Sequence, residues 1–441
     1  MKFRSFLNAD RYIIGAGMTG LSAGLHTGYP VLEAASAPGG ICASYYLRPG
    51  DPTRLLAAPG DGEAYRFEFG GGHWIFGGDA EVVAFIERFA PVRRYARRSS
   101  VYLPEIDRLV PYPLQYHLHH LPEADACAAL RELEEVVAAG DRVTMADWVA
   151  GFGPTLNRLF FAPFQEAYTA GLWRHIAPQD SYKTPIDPAL LRLGAAGPAP
   201  ATGYNAEFIY PENGLDRLAN GMAAGCDVRY GMQLTSVDTA GRLLYFSDGS
   251  TRGYERVLAT IPLNQMAAMA GVPVQERPDP YTSVLVLNIG ARRGPRMPTD
   301  HWVYVPKSAS GFHRVGFYDQ VDAHFLPASV RNQGTHASLY VERAFLPDER
   351  PDEAAVAHYI RAAIDELTDW GYIGAVEAVD TTWIEVAYTW QWPGSTWRER
   401  TLRTLEDAGI TMIGRYGRWH FQGIAASIRE GLKVQGSMFN G

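Results

Sequence analysis

The chain is 441 residues long and carries 40 Lys and Arg against 48 Asp and Glu, a net charge of -8. The length allows up to about three domains; 47% hydrophobic and 20% charged residues exclude a disordered or fibrous chain, and the acidic balance excludes a general nucleic-acid coat, which needs concentrated Lys and Arg. Cys42, Cys127 and Cys226 lie far apart with no C-x-x-C pair, so neither a structural zinc nor a disulfide scaffold is expected, and a reducing cytoplasm suits the chain.

From Arg11 a short apolar strand runs into a glycine turn and a helical pattern, and a second strand is predicted over Tyr29–Ala34. Together they make a βαβ unit. Glu81–Phe89 and Ala124–Ala139 have helical periodicity with polar connections, and 151–180 reads as helical again, rich in Phe, Tyr and Trp. The glycines and prolines of 194–203 predict a loop at a boundary. Short strands return over 226–262, and 281–345 alternates apolar with polar residues, the pattern of an antiparallel sheet. A helix is predicted over Asp352–Thr368, then a strand ending near Tyr388, and from Ile410 a strand, a glycine turn and a helix. No run of about 18 apolar residues predicts a membrane span, and no apolar signal core follows Met1–Arg4. A soluble cytoplasmic protein is expected.

Gly15, Gly17 and Gly20 form G-x-G-x-x-G after the first strand, with Met18 and Thr19 opening the helix. Gly15 makes the turn, Gly17 lets the backbone meet a pyrophosphate, and Gly20 allows helix and strand to approach closely. Glu33 ends the second strand, 18 residues after Gly15, where a carboxylate accepts from a ribose hydroxyl. Dinucleotide binding follows from this arrangement.

Pro38-Gly39-Gly40 follows five residues after Glu33, and Phe69-Gly70-Gly71-Gly72-His73 comes later. A second glycine pair beyond the acidic residue resembles FAD-binding proteins of the amine oxidase and protoporphyrinogen oxidase superfamily. The tail Gly414-Arg415-Tyr416-Gly417 resembles that superfamily's C-terminal return to the flavin. FAD is therefore the implied dinucleotide, with Gly39, Gly40, Gly72, His73, Gly414, Arg415, Trp419, Leu234 and Ser427 among its implied contacts.

Several further stretches resemble the UDP-galactopyranose mutase family. V-P-Y-P-L-Q at Val110–Gln115 is similar to the uracil-recognition stretch of its eukaryotic type, which implies that Tyr112 stacks on the base and Gln115 reads its edge. Tyr168-Thr169 and Trp173-Arg174 resemble a substrate segment ending in a diphosphate-binding arginine, and Asn205 matches an asparagine near flavin and sugar. The stretch Trp302–Arg314 keeps a tyrosine and an arginine ten residues apart, which implies diphosphate contacts from Tyr304 and Arg314. His73 corresponds to a mobile histidine loop beside the flavin. By this resemblance His73, Arg174 and Arg314 are the catalytic residues. The substrate contacts are Tyr112, Gln115, Trp173, Arg174, Asn205, Tyr304, Arg314 and Trp392.

The resemblance also has gaps. Trp392 precedes Pro393 where the family has a tyrosine, Phe421 replaces a second tyrosine, Gly423-Ile424-Ala425-Ala426 lacks an expected acidic residue, and the stretch near Phe164-Gln165-Glu166 is altered. In the family, reduced flavin attacks the anomeric carbon of a UDP-sugar, UDP leaves, and the sugar closes through a different hydroxyl. NAD(P)H is the expected reductant. No Ser-His-Asp set, metal-ligand cluster or paired-carboxylate motif competes with this reading. The lost tyrosines and Trp390, Trp392 and Trp397 keep open an FAD-dependent oxidoreductase acting on an amine or a sugar-derived alcohol, or a protein that binds FAD without turnover.

The expected fold class is α/β: a Rossmann-like FAD-binding domain with a helical insertion and an antiparallel β-sheet substrate domain. The FAD domain is expected from 1–80, 206–275 and 405–441, the helical domain with uridine contacts from 81–180, and the sheet domain from 181–205 and 276–404. The partner expected is a UDP-sugar or related nucleotide-sugar, with no metal, nucleic acid or membrane; the oligomeric state is left open.

Overall fold

The computed structural model describes residues 10–135, 142–179, 187–198, 206–273 and 275–434. A parallel five-stranded sheet runs in the order 228–229, 31–32, 11–14, 256–259, 410–412. Ile13 and Ile14 of its middle strand are both buried, and they belong to different apolar clusters, one on each face of the sheet. A parallel sheet covered on both faces needs such continuous apolar strands. Helix Met18–Thr27 follows the glycine turn and ends at Gly28, φ 70°. Within it a Cβ on Gly24 would stand 2.9 Å from Val31 Cγ2, so glycine sets the closeness of helix and strand. The last helix, Ile424–Leu432, packs on this first one; a Cβ on its Gly431 would meet Ser22 Oγ at 2.1 Å.

A seven-stranded sheet forms the roof, in the order 373–389, 281–293, 336–345, 314–317, 302–304, 99–103, 108–111. It is antiparallel except where 302–304 pairs with 99–103. Alternation along its strands divides the labour of the two faces. Leu285, Leu287, Val303, Val315, Leu339 and Val341 pack with Tyr359, Ala363 and Leu367 of helix Glu353–Asp369. Trp302, Tyr304, Arg314, Tyr340 and Glu342, one residue out of step, take the opposite face.

The predicted helices over 81–89 and 124–139 are Ala80–Glu87 and Glu123–Glu135, the latter up to the last described residue before 142. Between them the segment expected to be helical also holds strands 92–96, 99–103 and 108–111. Residues 99–103 are buried throughout, so they show no alternation to read. The second strand shrinks to Val31–Leu32. The loop expected over 194–203 is corrected at its start: helix Pro188–Ala196 runs through Gly194, whose missing Cβ lets it lie on Tyr116, where a Cβ would meet the carbonyl oxygen at 2.0 Å.

Candidate functional site

The glycine turn has the geometry its spacing predicts. Gly15 has φ +99°, and a Cβ there would stand 2.3 Å from Thr260 Oγ1; a Cβ on Gly20 would stand 1.9 Å from the Gly15 oxygen. Gly17 begins the helix with no side-chain cap, and a Cβ on it would find open space to 4 Å. An uncapped helix N-terminus facing open space fits a pyrophosphate. The Glu33 carboxylate accepts the Ala16 amide at 2.6 Å and the Ala35 amide at 2.8 Å, leaving lone pairs for a ribose hydroxyl. Gly39 donates to the Ala16 oxygen at 2.9 Å and pairs with Gly17, and Gly40 has φ +57°. Gly414 abuts Thr19 from the far end of the chain. Met18 and Ser427 are buried nearby in the two packed helices. Leu234 opens strand 234–238 inside the apolar cluster of Ile14 and Leu32. The residues present fit a dinucleotide.

Beside this cradle, under the roof, lies a cleft of about 200 Å³. Gly72, Tyr112, Tyr304 and Arg314 line it, as does Phe421. Tyr304 and Arg314 are direct cross-strand partners, and Glu342 stands opposite Arg314 on the next strand. The Tyr112 ring lies 4.9 Å from the Tyr304 ring, and the Arg97 guanidinium lies 5.3 Å from the centre of the Tyr112 ring. Arg314 makes a bidentate ion pair with Glu342, a carboxylate 2% exposed. Despite the opposing effect of burial, the neighbouring Arg314 and His313 hold the Glu342 carboxyl down at about 2. Burial first, and then Arg415, press His73 down to about 4, so its ring is neutral near pH 7. Arg415 itself is flanked by Phe421 and Tyr388, 4.6 and 5.4 Å from the ring centres, and donates to the Ala387 oxygen at 3.0 Å.

Other expected contacts lie elsewhere. Gln115 is 0% exposed and does not line the cleft. Trp173 and Arg174 are both held by Glu166, at 2.8 and 2.6 Å, and the Arg174 side chain is 52% exposed; neither lines the cleft. Trp392 donates its indole N–H to the Pro278 oxygen at 2.9 Å and stacks with Arg277. Trp419 is buried and donates to the Trp390 oxygen at 3.2 Å. Asn205 lies outside the described residues. In their place the cleft takes Phe160, Phe164, Gln165 and Tyr168 from the aromatic stretch 151–180, and Tyr388 and Trp390 from the end of the longest roof strand. Tyr168, Gln165, Phe164 and Trp390 are singled out by the resemblance or its gaps, whereas for Phe160 the signal is the aromatic density of 151–180. No carboxylate is among the described residues lining the cleft. Among the described residues no group of three or more His, Cys, Asp and Glu side chains is placed to hold a metal, and no helix is long and apolar enough to cross a membrane.

The family model described as flavin containing amine oxidoreductase matches residues 21–434. Among solved structures, a reduced UDP-galactopyranose mutase is similar with a TM-score of 0.80 at 20% identity, over 96% of this chain and 94% of that one. A putative protoporphyrinogen oxidase from Exiguobacterium sp. 255-15 is similar with a TM-score of 0.69 at 15% identity, over 97% of both chains. A putrescine oxidase with redesigned cofactor binding reaches a TM-score of 0.55 at 13% identity, over 97% of this chain and 98% of that one. Identities this low speak for the shared fold. The family match identifies the dinucleotide as FAD, in agreement with the cradle at Gly17.

Proposed function

The chain belongs to the family of flavin containing amine oxidoreductases, and from that premise we propose that it is an FAD-dependent UDP-sugar pyranose/furanose mutase, active with reduced flavin. The observation that carries this reading is the Tyr304–Arg314 pair, in direct cross-strand register and lining the cleft beside the Tyr112 ring. The likeness of the fold to a reduced UDP-galactopyranose mutase supports it.

In this reading Tyr112 offers a ring face to uracil, and the Tyr304 hydroxyl and Arg314 fork hold the diphosphate. Arg314 offsets the charge that gathers on UDP as it leaves. Gly72 brings the loop backbone to the cleft wall, and its missing Cβ leaves room for the Tyr340 ring, whose hydroxyl a Cβ would meet at 2.1 Å. His73, neutral near pH 7, adds no second cation beside Arg415. The aromatic walls exclude water while the sugar is detached from its leaving group. When bound, reduced FAD supplies the nucleophile for the anomeric carbon. NAD(P)H is the reductant in this proposal.

Phe421 in the cleft wall and Arg174 outside it favour a second reading, an FAD-dependent oxidoreductase acting on a sugar-derived alcohol or an amine. Among the described residues no carboxylate lines the cleft, which speaks against a cationic amine.

The deciding experiment incubates the dithionite-reduced holoprotein with UDP-hexoses and UDP-pentoses and separates the products. Ring-isomerised UDP-sugar without net oxidation is expected. Substrate-dependent flavin bleaching with oxygen consumption, and no isomer, would establish the second reading instead.

A further inference from the structure

The Arg314 guanidinium is held along one side. Nε donates to Glu342 Oε2 at 3.0 Å, and Nη2 donates to Oε1 and Oε2 at 2.6 and 2.5 Å. Nη1 has no hydrogen-bond partner among the described residues. A guanidinium is a rigid plane with five N–H donors, so fixing two nitrogens fixes the direction of the third. The side chain is 21% exposed and lines the cleft, so the remaining edge is the part a ligand can meet.

Glu342 has two further close neighbours. His313 Nε2 lies 3.5 Å from its Oε2. The glycine loop presses on its Oε1 so closely that a Cβ on Gly71 would stand 2.9 Å away. The carboxylate thus joins the loop that carries Gly72 and His73 to the arginine of the cleft.

We propose that Glu342 is a positioning residue for ligand binding: it fixes the plane of Arg314 so that the Nη1 edge meets an anionic group of the ligand while the carboxylate stays in place behind it. The proposal rests on the nucleotide-sugar reading for the identity of that anion, the diphosphate. It has a counter-intuitive consequence. Removing a carboxylate from beside an anion site strengthens anion binding if only charge counts. If Glu342 orients the fork, removing its charge weakens binding instead.

The test is a double-mutant cycle on the holoprotein: wild type, Glu342→Gln, Arg314→Lys and the double variant. Each is titrated with UDP and with inorganic pyrophosphate, following tryptophan fluorescence, and each is melted. Glu342→Gln is expected to weaken both probes about tenfold in the Arg314 background. In the Arg314→Lys background, where there is no plane to orient, the same change leaves affinity unchanged or raises it. Equal weakening in both backgrounds, in step with the melting temperature, would make the pair merely structural and overturn the proposal. So would a Glu342→Gln protein that binds both probes as tightly as wild type. If Glu342→Gln does not fold, Glu342→Asp keeps the charge but shortens the reach, and the same weakening is expected. Wild type that takes pyrophosphate but not UDP removes the nucleotide reading while the cycle still judges Glu342. Wild type that takes neither removes both.

Discussion

Gly414 rests directly on Thr19: with φ +78°, a Cβ at 414 would stand 2.7 Å from Thr19 Oγ1 and 3.1 Å from Thr19 Cβ. Residues from the two ends of the chain thereby build one wall of the dinucleotide cradle. An alanine at 414 must adopt left-handed backbone, which costs an L-residue roughly 1–2 kcal/mol, and must also push Thr19 away from the helix N-terminus. Gly414→Ala is expected to lose about 2–4 kcal/mol of stability and to purify with a lower flavin-to-protein ratio. Gly60→Ala, where a Cβ meets nothing within 4 Å, is the control. Full flavin occupancy in Gly414→Ala would show that this contact does not shape the cradle.

Glu33 holds two backbone amides, from Ala16 in the glycine turn and Ala35 beyond the strand. Its charge therefore shapes the turn besides offering lone pairs to a ribose hydroxyl. Glu33→Gln places an amide where two N–H donors converge, so one of those bonds becomes a donor–donor contact. FAD affinity is expected to fall at least tenfold, about 1.4 kcal/mol, on reconstitution of the stripped protein. Unchanged affinity would assign the ribose to another residue.

The glycine fingerprint was legible because two of its glycines answer a backbone demand that no other residue meets, a positive φ at Gly15 and a near-contact at Gly20, while Gly17 leaves the space that a pyrophosphate needs. The ten-residue spacing of Tyr304 and Arg314 was meaningful for a similar reason: a hairpin in that register makes them direct neighbours. Glu342 was illegible. It arrives from a strand 28 residues after Arg314, and register between strands so far apart leaves no local trace. Strands 99–103 and 108–111 were hidden because the first is buried on both faces and the second is capped by prolines, so neither alternates cleanly. The pairing of Arg174 was illegible too, since the sequence shows a cation near an aromatic but not that Glu166 holds it.

His301 gives a pH dependence whose sign can be worked out. It is 0% exposed, its Nδ1 accepts the Arg98 amide at 3.2 Å, and the rings of Phe208 and Tyr95 flank it at 5.0 and 5.8 Å. Burial, reinforced by Arg98, presses it from 6.5 down to about 3. The unfolded chain therefore takes up this proton first as the pH falls, and the stability that neutral His301 supports is lost progressively below 6.5. In His301→Gln that loss is absent. The variant's deficit against wild type in urea unfolding should thus be largest at pH 7–8 and shrink steadily towards pH 4.5. A deficit independent of pH would mean that His301 takes up its proton without opposition from the fold.

The two arginines that the resemblance marks as diphosphate contacts should separate sharply in their effects. Arg314 lies in the cleft wall with one edge free for an anion, and truncating it also strands the Glu342 carboxylate, 2% exposed, without its partner. Both effects oppose an anionic ligand, and the loss of a buried charge partner is worth about 2–5 kcal/mol. Arg314→Ala should therefore weaken UDP binding by about 100-fold or more, and Arg314→Lys by less, since a point charge remains. Arg174 is half in solvent, paired with Glu166 at 2.6 Å and stacked on Trp173. An exposed pair of this kind contributes about 0–1 kcal/mol, and Arg174→Ala should change UDP affinity by no more than about twofold. Isothermal titration of the reduced and oxidised holoprotein reads both variants under the same conditions. A large loss in Arg174→Ala confined to the reduced protein would mean that Arg174 leaves Glu166 and swings to the ligand once the flavin is reduced. A large loss in both states would make Arg174 a direct contact whatever the redox state, and the cleft would then extend past Tyr168 to the Glu166 side.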